Sequence, residues 1–252
     1  MKLRDFMRWA WQPRFISSKS HDLWLNLKFH RGRDAFSSIY QRIRPYTLCS
    51  PSCLQSLYEG VRYVTSRNIP GDIVECGIAR GGSTALMASA LVSLNGKAAR
   101  RVWGYDSFEG MPEPTTANAD WKIAREYSGQ CRGSLPEVRA LLNKLGILEH
   151  CELVPGLFAE TLGRRKPERI ALLHLDCDWY ESVTECLEAL YDSVSAGGII
   201  QIDDYGHWQG ARHAVDTFLA KQPGPIALQR IDYSGRRFMK PITIAEGQPC
   251  RS

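Results

Sequence analysis

From residue 70 to residue 220, short runs of β-branched residues alternate with segments that have helical periodicity. This alternation is typical of an α/β domain built on a mostly parallel sheet. Strands are predicted at 71–77, 101–108, 151–156, 169–176 and 197–203. Helices are predicted at 83–96, 134–146, 180–194 and 209–221, with a long loop at 109–133. Two further runs, 226–232 and 236–245, surround the turn YSG and predict a hairpin that adds an antiparallel strand.

The amino-terminal part differs in charge from the rest of the chain. Residues 1–48 contain ten Lys and Arg against three Asp, whereas the remaining residues contain 22 basic and 24 acidic side chains. A basic segment can bind nucleic acid or another anionic surface. Its apolar residues, however, are spaced as in amphipathic helices that bury one face. We therefore expect a helical arm or lid at 1–69, the α/β domain at 70–252, and no nucleic acid as a partner.

Composition places the chain in a compartment. It has no stretch of about 18 uncharged apolar residues, so no membrane-spanning helix is predicted. Its first residues lack the apolar core and cleavage site of a secretory signal. The eight cysteines are scattered, which favours free thiols in a reducing cytoplasm. Cys49 and Cys53 have no second pair of ligands nearby in the sequence, so they do not indicate a zinc site.

The segment ECGIARGGST joins the first predicted strand to the first predicted helix. Its glycines, Gly77, Gly81 and Gly82, let the backbone approach a ligand, and the helix amino terminus offers free N–H groups. Their spacing is not the G-x-G-x-x-G fingerprint of dinucleotide-binding proteins. Glu75 would repel a pyrophosphate but can attract the ammonium of an amino-acid-like ligand. Arg80 could pair with the carboxylate of that ligand, or it could be a surface residue.

The second predicted strand ends at Asp106, which Ser107 follows. In nucleoside-binding α/β sheets an acidic residue at this place accepts hydrogen bonds from ribose hydroxyls. An amino-acid group together with a ribose describes S-adenosylmethionine better than NAD. A tight strand–helix turn with incidental acidic residues is the alternative.

Two predicted strands end in pairs of acidic residues. Asp176 and Asp178 close the fourth strand, and Asp203 and Asp204 close the fifth. Ligands of open α/β sheets bind outside the carboxyl ends of the strands, so the four carboxylates should meet at one edge. Pure carboxylate sets favour hard cations such as Mg²⁺ or Mn²⁺, and one acid could remain outside the metal's ligand shell as a proton acceptor. The alternative for Asp178 is a cap of the following helix.

Two histidines lie near these acids. His174 precedes Asp176 by two residues in the predicted strand, a position typical of a buried core histidine. His207 follows the segment DDY and is the better candidate for the site.

Five segments of the chain resemble the macrocin O-methyltransferase family, which modifies sugar hydroxyls of macrolides and related natural products. They cover roughly residues 70–220 in order and read GDIVECGIARGGST, YDSFEGMP, LVPGLFAETL, LLHLDCDWYESV and GGIIQIDDYGHWQGARHAVDTF. The resemblance implies a Rossmann-like class I methyltransferase fold. Its sheet would be seven-stranded and mostly parallel, with one antiparallel edge strand. The resemblance also implies S-adenosylmethionine and Mg²⁺ as cofactors.

The resemblance also assigns roles to individual residues. It implies that the metal ligands are Asp176, Asp203 and Asp204, and that Asp178 is the general base. Around the cofactor it places Glu75, Gly77, Ser83, Asp106 and Ser107. The chain departs from the family pattern at Ala79, Cys177, His207 and Trp208, which leaves the acceptor open.

The predicted activity is methylation of a hydroxyl on a small molecule, which we expect to be a glycosylated natural product. Metal binding lowers the pKa of such a hydroxyl, and Asp178 would take its proton. One alternative is a catechol-type enzyme with a phenolic acceptor, although that family usually has Asp-Asn where this chain has Asp203-Asp204. Another is a non-catalytic module that binds nucleosides or RNA. We also expect a homo-oligomer.

Overall fold

The computed structural model describes residues 13–94, 100–115 and 119–242, with side chains from residue 19 onward. Seven strands form one sheet in the order β3-β2-β1-β4-β5-β7-β6. Their bounds are β1 Asp72–Cys76, β2 Val102–Asp106, β3 Cys151–Pro155, β4 Ile170–Leu175, β5 Val194–Ile202, β6 Gln229–Arg230 and β7 Arg236–Met239. Within this part of the chain no helix is long and apolar enough to span a bilayer.

Strand directions confirm the predicted fold class. Strands β1 to β5 all run parallel to one another. Strand β7 runs antiparallel to β5, and β6 runs antiparallel to β7. The antiparallel strand β7 lies second from the edge, because the two-residue strand β6 pairs along its outer side. Both strands of this hairpin are shorter than predicted, and residues 243–245 of the second lie outside the described residues.

Nine helices are described over these ranges. They are α1 Pro13–Arg31, α2 Ala35–Ile43, α3 Pro51–Ser66, α4 Gly82–Ser93, α5 Trp121–Ala124, α6 Leu135–Lys144, α7 Phe158–Thr161, α8 Tyr180–Leu190 and α9 Gln209–Ala220. Helix α5 lies within the predicted loop. Helix α8 ends before its predicted end, because a 3₁₀ turn follows at Tyr191–Ser193 and β5 already begins at Val194. The predictions for residues 1–12 and 95–96 lie outside the described residues.

Polar side chains fix where three helices begin. Asp34 accepts from the N–H of Ser37 at 3.0 Å, and Ser50 accepts from the N–H of Cys53 at 3.0 Å. Ser134 caps α6 by accepting from the N–H of Glu137 at 3.4 Å, which confirms the predicted N-cap, and its hydroxyl donates to Oε2 of Glu137 at 2.7 Å. Each cap satisfies an N–H group that the first helical turn leaves without a partner.

Helices cover both faces of the sheet. One face is covered by α2, α3 and α4, whose buried side chains include Tyr40, Ile43, Leu54, Leu57, Val61 and Leu86. The other is covered by α8 and α9, whose buried side chains include Val183, Leu187, Leu190, Ala211 and Val215. The amphipathic helices predicted from the amino-terminal segment therefore share a core with the sheet over their described residues. Burial of these apolar side chains is the main stabilising contribution.

The strand register places four carboxyl ends at one level. Cys76 pairs with Tyr105 on one side and with Leu175 on the other, and Leu175 pairs with Ile202. The residues that follow these strands therefore emerge together at one edge of the sheet, where ligands of parallel sheets bind.

Candidate active site

A cavity of about 720 Å³ opens at the carboxyl edge of the sheet. Its volume lies within the range of roughly 300–1,000 Å³ that is usual for small-molecule sites. The glycine loop, the ends of β2, β4 and β5, and the segment 45–49 all contribute to its lining. Among the predicted site residues, those that line it are Gly77, Arg80, Ser83, Asp106, Ser107, Asp176, Asp178, Asp203 and Asp204.

Three carboxylates meet at one end of this cavity, and we call Asp176, Asp203 and Asp204 the carboxylate triad. One oxygen from each lies within 4.8 Å of the others. Backbone bonds across the sheet hold two of them in place, since Asp176 N–H donates to Cys76 and Asp203 N–H to Leu175, both at 2.9 Å. The structure thus brings together the three residues predicted as metal ligands.

The negative charges of the triad are not fully compensated by the surrounding chain. Desolvation raises the pKa of all three carboxyl groups, and negatively charged neighbours add to the increase. Oδ1 of Asp203 is buried without a hydrogen-bond partner in the described ranges. A hard divalent cation would relieve this repulsion and give that oxygen a partner, so the donor set fits Mg²⁺ or Mn²⁺.

Asp178 stands beside the triad in a left-handed conformation, with φ at +59°. Its N–H donates to Oδ2 of Asp204 at 3.0 Å, and the indole N–H of Trp208 donates to its Oδ1 at 2.9 Å. Desolvation raises the pKa of Asp178 to about 6, although the bond from Trp208 acts in the opposite direction. The capping alternative is wrong, because Trp179 is the N-cap of α8 and no side chain caps that helix.

Trp208 was not predicted as a functional residue. Its indole is nearly buried and packs edge-on against Trp179, with ring centroids 5.0 Å apart. The indole N–H of Trp179 donates in turn to the carbonyl of Pro112 at 2.9 Å. Its departure from the family pattern after DDYGH was a signal for this residue.

The other end of the cavity is organised around Asp106. Oδ2 of Asp106 accepts from the N–H groups of Ile78 and Ala79 at 2.9 and 2.8 Å, and Oδ1 accepts from the N–H of Phe108 at 2.7 Å.

The glycine loop approaches the triad at Gly77, where φ is +86° and an added Cβ would lie 1.8 Å from the carbonyl oxygen of Asp176. A side chain cannot be accommodated there.

Three residues predicted around the cofactor do not line the cavity. Glu75 is fully buried, and its carboxylate bonds to the ring of His174 at 2.8 Å and to the hydroxyl of Thr84. Glu75 lies within β1, as predicted, and its carboxylate bonds to core residues instead of facing the cavity.

Gly81 and Gly82 are not among the residues that line the cavity either. Gly81 faces Val138, and a Cβ on Gly82 would meet Tyr46 and Thr47 at 2.7 Å. Both glycines therefore allow close packing of neighbouring segments, and their contact with the cofactor stays a prediction. Arg80 lines the cavity but donates to the carbonyl of Pro45 at 3.2 Å.

The two histidines follow the sequence interpretation. His174 is a core residue with no exposed surface, and its pKa is raised: desolvation acts to lower it, but Glu75 and nearby aspartates outweigh that effect. His207 lines the cavity, and burial lowers the pKa of its ring.

The segment Pro45 to Cys49 was missed by sequence reasoning. It lines the cavity and packs against Gly82, and the thiol of Cys49 donates to Oδ2 of Asp176 at 3.3 Å. No local pattern could reveal this contact, because 127 positions separate the two residues.

Comparisons with known proteins agree with this geometry. The family described as macrocin-O-methyltransferase (TylF) matches residues 29–240. A tetracenomycin 4'-O-methyltransferase of Streptomyces olivaceus, acting on the 2,3-dimethoxy-rhamnosyl derivative, is 33% identical over 79% of this chain and 80% of its own. Demethyldecarbamoylnovobiocin O-methyltransferase of Streptomyces niveus is 34% identical over 75% and 74%. The structure of the O-methyltransferase NovP superposes with a TM-score of 0.75 and 28% identity, over 87% of this chain and 99% of that one.

Sheet order, cavity and matches together define a class I O-methyltransferase. Within that class, the chain belongs to the macrocin O-methyltransferase family, and the resemblance found in the sequence is confirmed.

Proposed function

We propose that the protein transfers the methyl group of S-adenosylmethionine to a hydroxyl of a sugar on a natural product, with the help of Mg²⁺. The observation that carries this proposal is the position of Asp178, which shares one cavity with the carboxylate triad and with Asp106. A base at Asp178, a cation on the triad and a nucleoside at Asp106 would therefore share one cavity with the acceptor.

The nucleoside end has unused hydrogen-bonding capacity. An ionised carboxylate offers about four lone-pair positions, and backbone N–H groups occupy three of those on Asp106. Oγ of Ser107 accepts from the N–H of Glu109 at 3.2 Å, so its own proton can be donated to a ligand. These two residues are suited to bind the ribose hydroxyls of the methyl donor.

The triad would hold Mg²⁺ through Asp176, Asp203 and Asp204. When bound, Mg²⁺ supplies a Lewis acid that lowers the pKa of an acceptor hydroxyl. An aliphatic sugar hydroxyl is much less acidic than a phenol, so a nearby base is needed as well. Asp178 provides it, with Oδ1 held by Trp208 and the carboxylate facing the cavity. Burial raises the pKa of Asp178 to about 6, which makes it a stronger base for that proton than an ordinary carboxylate.

The proposed acceptor class comes from the relatives. One is named for methylation at the 4' position of a rhamnosyl tetracenomycin, and another for methylation of demethyldecarbamoylnovobiocin. We extend this to a hydroxyl on a glycosylated natural product. Most of the rate enhancement would come from alignment of the acceptor oxygen with the methyl group.

Calorimetry with S-adenosylmethionine tests the proposal, first without and then with Mg²⁺, on the native protein and on Asp203→Asn. The native protein should bind both S-adenosylmethionine and Mg²⁺. The Asp203→Asn variant should bind Mg²⁺ more weakly. Absence of cofactor binding would overturn the methyltransferase proposal. Methyl transfer that needs no metal, on an acceptor found by screening glycosylated natural products, would overturn the role of Mg²⁺ alone.

A further inference from the structure

A second group of ligand atoms lies next to the carboxylate triad. It consists of Cys49, His174 and Asp176, which we call the soft-ligand cluster, and one ligand atom from each lies within 4.8 Å of the others. Cys49 precedes α3, His174 belongs to β4, and Asp176 follows β4. Cys49 and His174 are buried, at 3% and 0% exposure. The cluster thus combines sulfur, nitrogen and oxygen donors, whereas the triad offers oxygen alone.

His174 has the environment of a metal-ligating histidine. Its Nδ1 lies 2.8 Å from Oε1 of Glu75, and the hydroxyl of Thr84 bonds to the other oxygen of that carboxylate. A carboxylate at Nδ1 keeps one ring proton there, so a cation bound at Nε2 would replace any proton on that nitrogen, which would pass to solvent. Nε2 of His174 is buried and has no hydrogen-bond partner among the residues described. Metal-binding histidines usually donate their second ring N–H to a carboxylate in this way.

Cys49 supplies a softer donor to the same place. Its thiol now donates to Oδ2 of Asp176 at 3.3 Å, so sulfur and carboxylate already face each other. A bound divalent cation would take the thiolate and the carboxylate together, and the thiol proton would pass to solvent. Thiolate and imidazole ligands select Zn²⁺ and similar ions over Mg²⁺.

We propose that Cys49, His174 and Asp176 form a second metal site that takes a soft divalent cation such as Zn²⁺. Three protein ligands would leave one tetrahedral position for water. Asp176 belongs to both the soft-ligand cluster and the carboxylate triad. If the proposed function holds, Zn²⁺ at this site therefore withdraws a Mg²⁺ ligand and inhibits methyl transfer.

Cobalt titration of the full-length protein tests the site without any substrate. Co²⁺ bound by a thiolate gives a sulfur-to-metal charge-transfer band in the near ultraviolet, and equimolar Zn²⁺ should remove that band. Cys49→Ser should abolish the band. Cys53→Ser is the matched control, because Cys53 is also buried and lies one helical turn further on, yet is outside the cluster.

A second variant does not alter a ligand. Glu75→Gln removes the carboxylate behind His174 and should weaken Co²⁺ affinity by roughly 10- to 100-fold, with the band still present at saturation. Circular dichroism shows whether Cys49→Ser and Glu75→Gln fold. If one of them does not fold, the Co²⁺ titration of the other tests the metal site. A native protein without the band, or a band that persists in folded Cys49→Ser, would overturn the proposal.

A third variant separates this proposal from the proposed function. Asp204→Asn alters the triad but not the soft-ligand cluster. It should lose Mg²⁺-dependent methyl transfer and keep the Co²⁺ band. A protein that shows the band but no methyl transfer under any condition would contradict the proposed function and leave the metal site supported.

Discussion

The carboxylates at the two ends of the cavity differ in how many hydrogen-bond partners the chain gives them. Asp106 accepts three backbone N–H groups, so the chain itself compensates its charge. In the triad, by contrast, Oδ1 of Asp203 has no partner in the described chain, and Asp204 accepts the N–H of Asp178. The difference indicates that Asp106 helps to shape the glycine loop before any ligand arrives. The proposed function supplies a cation to compensate the charge of the triad.

The largest effect should come from Asp178→Asn at the triad end. An amide of the same size cannot take a proton, so turnover should fall by about 10²- to 10⁴-fold, the usual contribution of a positioned base. Binding of S-adenosylmethionine should stay as in the native protein. Steady-state kinetics and cofactor calorimetry check both parts, with exposed Asp192→Asn as the control. Turnover within threefold of the native rate would remove Asp178 from the mechanism.

Asp106→Asn should affect the opposite end. One of the two oxygens becomes an NH₂ group, which cannot accept from the loop N–H groups of Ile78, Ala79 or Phe108. Loss of a charged hydrogen bond costs about 1.5–3 kcal/mol, so cofactor affinity should fall by roughly 10- to 100-fold. Calorimetry should show unchanged Mg²⁺ binding. An equal loss of affinity for S-adenosylmethionine and for Mg²⁺ would mean that the two ends of the cavity do not bind their ligands independently.

Trp208→Phe tests whether the hydrogen bond from Trp208 positions Asp178. The phenyl ring keeps most of the packing against Trp179 but removes the N–H that bonds to Asp178. We expect kcat to fall by about tenfold, from loss of one bond to a charged group, while KM for the cofactor is unchanged. Tyr205→Phe, next to the triad but bonded to Asp216 instead, is the control. A rise in KM with constant kcat would point to a role in binding instead.

The smallest effect concerns stability without ligands. In the absence of metal, Asp203→Asn removes one of several mutually repelling buried charges, so the variant should be more stable than the native protein. Added Mg²⁺ should stabilise the native protein and leave the variant nearly unchanged. Thermal denaturation with and without Mg²⁺ measures both shifts. A metal-free variant less stable than the native protein would contradict the repulsion inferred for the triad.

Most of the fold could be predicted because strand ends and glycine turns leave local signals. The acids Asp176 and Asp203 follow apolar strands directly, so parallel pairing alone brings them together. Glu75 lies within β1 as predicted, but its bond to His174, which is 99 positions away, depends on how β1 pairs with β4 and leaves no local signal. The contact of Cys49 with Asp176 depends on how the arm folds back over the sheet, and no periodicity encodes that.

Asp176 and Asp178, the two acids that follow β4, are assigned different roles, and Mg²⁺ calorimetry on Asp176→Asn and Asp178→Asn tests this most directly. We predict that Asp176→Asn weakens Mg²⁺ binding by tenfold or more, about 1.4 kcal/mol, because a ligand oxygen is lost. Asp178→Asn should bind Mg²⁺ as the native protein does, despite its loss of turnover. Equal loss of Mg²⁺ affinity in both variants would contradict the assignment of one acid as ligand and the other as base.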